Sequence, residues 1–326
     1  MESGDLAIFA LDATAAFGQE VSAALGVPLS AHEERVFEDA EHKARPLVSV
    51  RGRDVFVLQS LHGDAQQSGD EKLCRLLFFL GAVRDAGADR ITAIVPYLAY
   101  ARKDRRTKPR DPVTIRYVAT LFEAMGVDRL VTLDVHNPAA FDNAFRRPAI
   151  NLEARKPFAR HFAARLAGEA ICVMSPDIGG VKRADRFREA LEAETGRPVA
   201  TAFMEKYRSG GVVSGEKVVG EVEGKAVVIF DDLISTGTTM RRAAKACRSL
   251  GARRVYAAAS HGLFTGDASA VVTDPLFDEI AVTSSIPPFR LSQEARERLA
   301  VVDIAALFAE AIRRLHSDGS IVELLE

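Results

Sequence analysis

The stretch Ala226-Val-Val-Ile-Phe-Asp-Asp-Leu-Ile-Ser-Thr-Gly-Thr-Thr-Met240 decides how this chain is read. Ala226 to Phe230 is an unbroken apolar run, the pattern of a parallel strand buried on both faces. Two carboxylates follow at once, Asp231 and Asp232, and then the small, hydroxyl-rich Ser235, Thr236, Gly237, Thr238 and Thr239. Helical spacing begins near Met240 and continues through Ala243, Ala244, Cys247 and Leu250. A strand, a small-residue loop and a helix start form an anion site, because N–H groups at a helix N-terminus point at a bound phosphate. Glycine lets the main chain come close. Carboxylates sit oddly beside a phosphate unless they hold something else, such as sugar hydroxyls or a metal. An acidic helix-capping arrangement is the plainer reading, and the run of hydroxyls after the pair speaks against it.

Outward from this stretch, strands and helices alternate. Strands are expected at Leu6–Leu11, Arg53–Ser60, Gly87–Pro96, Arg129–Leu133, Ile171–Ser175, Val199–Met204, Arg254–Ser260 and Glu279–Thr283. Helices are expected at Ala13–Leu25, Asp70–Ala86, Val113–Met125, Ala154–Ala167, Val181–Glu194, Gly266–Val272 and Asp303–His316. Such alternation predicts an α/β fold with parallel sheets. Lys206 to Glu223 is polar and Gly-rich and reads as a flap or hairpin, and Glu34 to Glu41 reads as a mixed acidic segment. The 326 residues suffice for about two domains, with a boundary expected near Asn151: residues 1–150 and 151–326.

Composition narrows the function. A net charge of −2 gives no general pull toward nucleic acid or an anionic membrane. The three cysteines, Cys74, Cys172 and Cys247, are scattered without a CxxC pair, so neither a disulfide framework nor a zinc site is expected. A reducing cytoplasmic location follows. The start, Met1-Glu-Ser-Gly-Asp5, carries no basic targeting region, and no apolar run approaches the roughly 20 residues of a membrane helix.

Other motifs fall at strand ends, where α/β proteins place ligands. Pro96-Tyr-Leu-Ala-Tyr-Ala-Arg-Lys-Asp-Arg-Arg106 is basic and is followed by Lys108 and Arg110. A basic loop is ordinarily solvated surface, but arginine and lysine at a strand end suit a polyphosphate. Leu133-Asp-Val-His136 and Ser175-Pro-Asp-Ile-Gly-Gly-Val-Lys-Arg-Ala184 each follow a strand. The first places His136 among the candidates for metal or phosphate contact, and the second reads by itself as a Gly-rich turn with Asp177 as a cap.

Taken together, these motifs resemble those of ribose-phosphate pyrophosphokinases. The stretch around Asp231 resembles the phosphoribosyl pyrophosphate (PRPP) loop shared with phosphoribosyltransferases. The basic run resembles Tyr-x-x-Tyr-Ala-Arg-Gln-Asp-Arg/Lys, with Lys103 standing where Gln is usual. Leu133 to His136 is similar to Asp-x-His, Ser175 to Ala184 to Ser-Pro-Asp-x-Gly-Gly-x-x-Arg-Ala, and Phe37-Glu-Asp-Ala-Glu41 to Phe-x-Asp/Asn-x-Glu. Glu205-Lys206-Tyr207-Arg208 and Ile234-Ser235-Thr236 are nearer the archaeal versions of their motifs. The sequence departs from the family at Leu61–Lys72, which is longer and lacks an Asn-Asp-Asn run, at Ser284, where Asp is frequent, and at Pro288–Arg298.

The resemblance implies two tandem type I phosphoribosyltransferase-like domains. The activity it implies is transfer of diphosphate from ATP to ribose 5-phosphate with Mg²⁺. Lys206 and Arg208 would be catalytic, on a flap closed through Ser209-Gly210-Gly211. Phe37, Asp39, Glu41, Arg102, Lys103, Asp104, Arg105 and His136 would bind ATP. Asp231, Asp232, Ser235, Thr236, Gly237, Thr238 and Thr239 would bind ribose 5-phosphate. His136 and Asp177 would hold the metal, and Arg183 would approach the transferred phosphates. ATP would lie between the domains and reach a neighbouring subunit through Phe37, which implies a homo-oligomer. The last helix would pack back on the N-terminal domain. A phosphoribosyltransferase and a non-catalytic regulatory homologue are the alternatives.

Overall fold

The computed structural model describes residues 5–209 and 212–325, with side chains outside 206–216. The chain divides into two compact units, residues 1–153 with 304–326, and residues 154–303.

The first unit contains β1 (Leu6–Ala10), α1 (Ala15–Leu25), β2 (His32–Val36), β3 (His42–Pro46), β4 (Asp54–Leu58), α2 (Gly69–Asp85), β5 (Arg90–Val95), α3 (Thr114–Ala124), β6 (Arg129–Leu133), α4 (Pro138–Ala144) and β7 (Ala149–Leu152). Its sheet runs β1-β4-β5-β6-β7, and every pairing is parallel. The burial explains the runs seen in sequence: all of Asp54–Leu58 is inside, as a strand covered on both faces requires. The edge ring of Phe79 in α2 meets Phe9 of β1 at 5.3 Å.

The segment read as mixed and acidic is instead a hairpin. β2 and β3 form an antiparallel sheet of their own, with Phe37–Glu41 as its turn. The two strands, His-Glu-Glu-Arg-Val and His-Lys-Ala-Arg-Pro, hold few apolar residues, so no strand signal stands out. Their ladder is accompanied by a cross-strand ion pair, Arg45 Nε 2.6 Å from Glu33, and His32 and His42 meet the Phe79 and Phe78 rings of α2.

The second unit contains α5 (Arg155–Arg165), β8 (Ile171–Ser175), α6 (Val181–Thr195), β9 (Val199–Ser209), β10 (Val212–Val219), β11 (Ala226–Ile234), α7 (Thr238–Ser249), β12 (Arg254–Gly262), α8 (Ala268–Val272), β13 (Glu279–Thr283), α9 (Gln293–Arg298) and β14 (Leu299–Val302). Its sheet order is β10-β9-β8-β11-β12-β13-β14. All neighbours are parallel except β10, which pairs antiparallel with β9. The Gly-rich stretch is thus a hairpin, although its tip, Gly210-Gly211, lies outside the described residues. Phe187 of α6 stacks on Phe230 of β11 at 4.3 Å, and Phe158 of α5 meets the same ring edge-on at 5.5 Å. Aromatic pairs in these geometries add to the burial of their area, and they clamp the residue immediately before Asp231.

α10 (Ala305–His316) and α11 (Val322–Leu325) belong to the first unit. Phe308 of α10 packs edge-on against Phe17 of α1 at 5.6 Å. Asp54, buried at the start of β4, accepts from Arg90 at 2.5 Å and lies 2.9 Å from His316 Nδ1. Arg129 donates to the Leu315 carbonyl at 2.9 Å. The three cysteines are free thiols, and burial pushes the Cys172 and Cys247 thiols up, to about 11 and about 12. No helix among the described residues is long and apolar enough to cross a membrane.

Candidate functional site

In the second unit the candidate residues gather at the C-terminal ends of β8 and β11, which are parallel neighbours. β11 runs on to Ile234, so the acidic pair lies on the strand's last turns rather than after it. α7 opens at Thr238, two residues before the apolar spacing begins. Between them Gly237 takes φ +76, and a Cβ there would come within 2.7 Å of Val271. Only glycine satisfies both the left-handed backbone and the close approach. Thr236, Thr238 and Thr239 are exposed around this helix start, and Thr236 Oγ1 lies 3.0 Å from Thr238 Oγ1. No acidic side chain occupies the first turn of α7, so its N–H groups and hydroxyls present an uncontested anion cradle.

The acidic pair is held from the side. Arg183, on the first turn of α6, places Nη1 at 3.1 Å from both Asp231 Oδ1 and Asp232 Oδ1. Asp231 also accepts from the Asp232 backbone N–H at 2.9 Å. Burial, and next the negative charge of Asp232, hold the Asp231 carboxyl well above its ordinary range, with Arg183 opposing them. Two carboxylates sharing one guanidinium make a site that favours a further cation or hydrogen-bond donors.

Asp177 lies beside this pair. Its Oδ1 accepts from Gly180 N–H at 3.0 Å, and its carbonyl accepts from Ser175 Oγ at 2.6 Å. A Cβ on Gly180 would lie 2.7 Å from Ser175 Oγ and 3.8 Å from the Oδ1 atoms of both Asp177 and Asp231. The glycine is therefore the small shared floor of the Asp177 turn and the acidic pair.

Sequence reasoning missed the wall behind the PRPP-type loop. Phe264 N–H donates to the Ile234 carbonyl at 3.2 Å, Thr265 N–H to the Ser235 carbonyl at 3.0 Å, and Ser235 Oγ lies 2.8 Å from Thr265 Oγ1. The signal lay in topology, since these residues leave β12, the other neighbour of β11. The backbones of Lys206 and Arg208 lie in β9, opposite Glu216 and Val213. Their side chains fall outside the described residues.

In the first unit the basic run leaves β5 and the His136 turn leaves β6, again parallel neighbours. Arg102, Lys103, Arg105 and Arg106 are exposed. Asp104 is not: its Oδ2 accepts from Asn137 Nδ2 at 2.6 Å, and Asn137 caps α4 through the Ala140 N–H. That bond joins the basic loop to the exposed His136 beside Asn137. Tyr100 takes φ +65 and donates its hydroxyl to Asp70 at the start of α2.

Phe37, Asp39 and Glu41 form the tip of the β2–β3 hairpin. Phe37 N–H donates to the Glu41 carbonyl at 2.8 Å and Asp39 Oδ1 accepts from Glu41 N–H at 3.1 Å. Phe37 is 39% exposed, with the Arg35 guanidinium 5.1 Å from its ring centre. Among the described residues, the acidic and histidine side chains of Asp12, His32 and Glu34 form a group of three with ligand atoms all within 4.8 Å of one another. Arg75 lies 3.7 Å from Glu34, and Asp12 N–H donates to it.

The model of the N-terminal domain of ribose phosphate pyrophosphokinase matches residues 6–126, and that of the phosphoribosyl synthetase-associated domain matches 211–326. Ribose-phosphate pyrophosphokinase 1 of Listeria innocua is 35% identical over 322 residues, 98% of this chain and 97% of that protein. The ribose-phosphate pyrophosphokinase of Caldanaerobacter subterraneus is 35% identical over 324 residues, 99% of this chain and 98% of its own length. The crystal structure of phosphoribosylpyrophosphate synthetase from Mycobacterium smegmatis superposes with a TM-score of 0.85 at 33% identity, covering 97% of this chain and all of that one. The protein is thus of the α/β class built from two type I phosphoribosyltransferase-like domains. Within that class, the chain belongs to the ribose-phosphate pyrophosphokinase family.

Proposed function

We propose that this chain transfers the β,γ-diphosphoryl group of ATP to the anomeric hydroxyl of ribose 5-phosphate, giving PRPP and AMP. The observation that carries the reading is the β11–α7 segment. It joins an acidic pair to an exposed, hydroxyl-rich helix start, one end suited to a sugar's hydroxyls and the other to its phosphate. Asp231 and Asp232 take the 2- and 3-hydroxyls. Ser235, Thr236, Gly237, Thr238 and Thr239 take the 5-phosphate. Arg102, Lys103 and Arg105 bind the ATP phosphates, and Asp104 fixes their loop to the His136 turn. Phe37, Asp39 and Glu41 receive adenine. The exposure of Phe37 and its neighbour Val36 supports self-association through this hairpin.

The reaction is mainly a problem of holding nucleophile and phosphorus in line and neutralising charge on the phosphoryl oxygens. Lys206 and Arg208 supply cations for that charge. The donor set also fits a hard divalent cation such as Mg²⁺, because the carboxylate oxygens of Asp231 and Asp232 gather beside Asp177. Asp177 would hold such an ion at the second unit's edge and His136 would serve as a metal ligand at the first unit's edge, the metal supplying further charge neutralisation on the phosphates. A cytoplasmic setting accords with the free thiols.

The test is AMP release from ATP and ribose 5-phosphate with Mg²⁺ and no nucleobase. Release proportional to PRPP formed is expected. Absence of AMP with and without added phosphate would sink the reading in favour of a non-catalytic homologue, and absence of AMP together with pyrophosphate release from PRPP and a nucleobase would favour a phosphoribosyltransferase.

A further inference from the structure

The segment where the sequence departs from its family, 61–72, is built around a buried charge. Lys72 of α2 is completely buried. Its Nζ lies 2.5 Å from Asp64 Oδ2 and 3.4 Å from His62 Nε2. Asp64 is in turn the hub of the loop, its Oδ1 accepting from the Gln66 and Gln67 N–H groups at 2.8 Å each. His62 Nδ1 lies 3.3 Å from Ser60 Oγ, and Ser60 N–H donates to Thr14 Oγ1 at 2.9 Å. A charge taken wholly out of water is costly even when paired, and an apolar side chain of the same length would fill the space without that cost. What the ion pair adds is fixed geometry.

That geometry is delivered to the basic loop. Leu61 N–H donates to the Tyr97 carbonyl at 2.9 Å. Gly69 approaches so closely that a Cβ would sit 2.9 Å from the Leu61 carbonyl oxygen and 3.9 Å from Ala99 Cβ. Ser68 and Glu71 close a capping box at the start of α2, and Asp70, between them, takes the Tyr100 hydroxyl. Residues 61–72 are thus seated against 97–100, the stem from which Arg102, Lys103 and Arg105 emerge.

We propose that Asp64, Lys72 and His62 form a lock that sets the position of the 97–106 loop for the diphosphate donor, with Lys72 as its positioning residue. The inference rests on the reading of that loop as the ATP-phosphate site. Lys72→Met alone leaves the half-buried Asp64 without its cation, so the informative variant is the double change Lys72→Met with Asp64→Asn, which removes both charges. In the full-length protein it is expected to raise KM for ATP about tenfold, while KM for ribose 5-phosphate stays within about twofold. Amide exchange should accelerate in 97–106 and not in the second unit. Tyr100→Phe, a surface change that keeps the ring, should move the same two quantities in the same direction, by about threefold in KM. A folded double variant with an unchanged KM for ATP overturns the proposal, and so does an equal rise in both KM values, which marks a general structural defect. If the double variant does not fold, Tyr100→Phe decides, and unaltered ATP KM and exchange in it refute the lock. If the wild-type protein releases no AMP, the functional reading fails, and calorimetric binding of MgATP with the exchange data still decides the lock.

Discussion

The two units present opposite kinds of ligand edge. In the second, the carboxylates are drawn in, shared by one arginine and floored by a glycine, so the electrostatic tension exists before any ligand arrives. In the first, the cations stand exposed to water on a loop whose shape is set from below, by Tyr100, Asp70 and the Asp104–Asn137 bond. Buried charges act at low dielectric and change strongly with small perturbations, whereas exposed ones are screened. Substitutions at the second unit's edge should therefore have large, salt-insensitive effects, and those at the first should be smaller and salt-dependent.

The largest effect expected is from Lys206→Ala, which should lower turnover by about a thousandfold with an unchanged melting temperature. Turnover near that of wild type would remove Lys206 from the chemistry. Next is Asp231→Asn, expected to cut kcat/KM for ribose 5-phosphate by about a hundredfold while making the fold more stable near neutral pH. The sign follows from its raised carboxyl. The folded state keeps a proton that the unfolded chain gives up from about pH 4, so the wild type loses stability as pH rises through that interval. Denaturant titrations at pH 5 and pH 7 should show the variant's advantage growing with pH; a loss of stability at pH 7 would show that the pair is not strained.

Smaller in rate, about tenfold, is Arg183→Met. Arg183 favours ionised Asp231, so its removal should move the acid limb of the kcat/KM profile to higher pH. An unshifted limb would detach Arg183 from the acidic pair. Smallest is Lys103→Gln, within about threefold in KM for ATP, and the difference from wild type should vanish as salt is raised. A change that persists at high salt would mean that Lys103 is desolvated with the donor, and would erase the contrast between the two edges.

Much of this was legible in sequence because burial on both faces leaves an apolar run, and the strands from Asp54 and Ala226 carry such runs. The β11–α7 site was legible too, since its chemistry is contiguous. What stayed hidden depends on neighbours distant in sequence. Thr265 meets Ser235 because β12 lies beside β11, and Asp104 meets Asn137 because β6 lies beside β5. The β2–β3 hairpin packs through Ala44 and the His32 and His42 rings rather than through a run of apolar side chains, so periodicity gave no hint of it. The boundary of β11 ran four residues past its apolar run, from Phe230 to Ile234, because pairing with β12 continues through Leu233 and Ile234.

The first unit is assembled from both ends of the chain, its residues 304–326 arriving after the whole of the second unit has been translated. Until then Asp54 lacks the His316 contact and α1 the face that Phe308 covers. On the ribosome, where segments fold as they emerge, the unit made first is the one that closes last, while the contiguous 154–303 can complete its sheet earlier. The last part of the first unit's core is thus supplied only when residues 304–326 have been made.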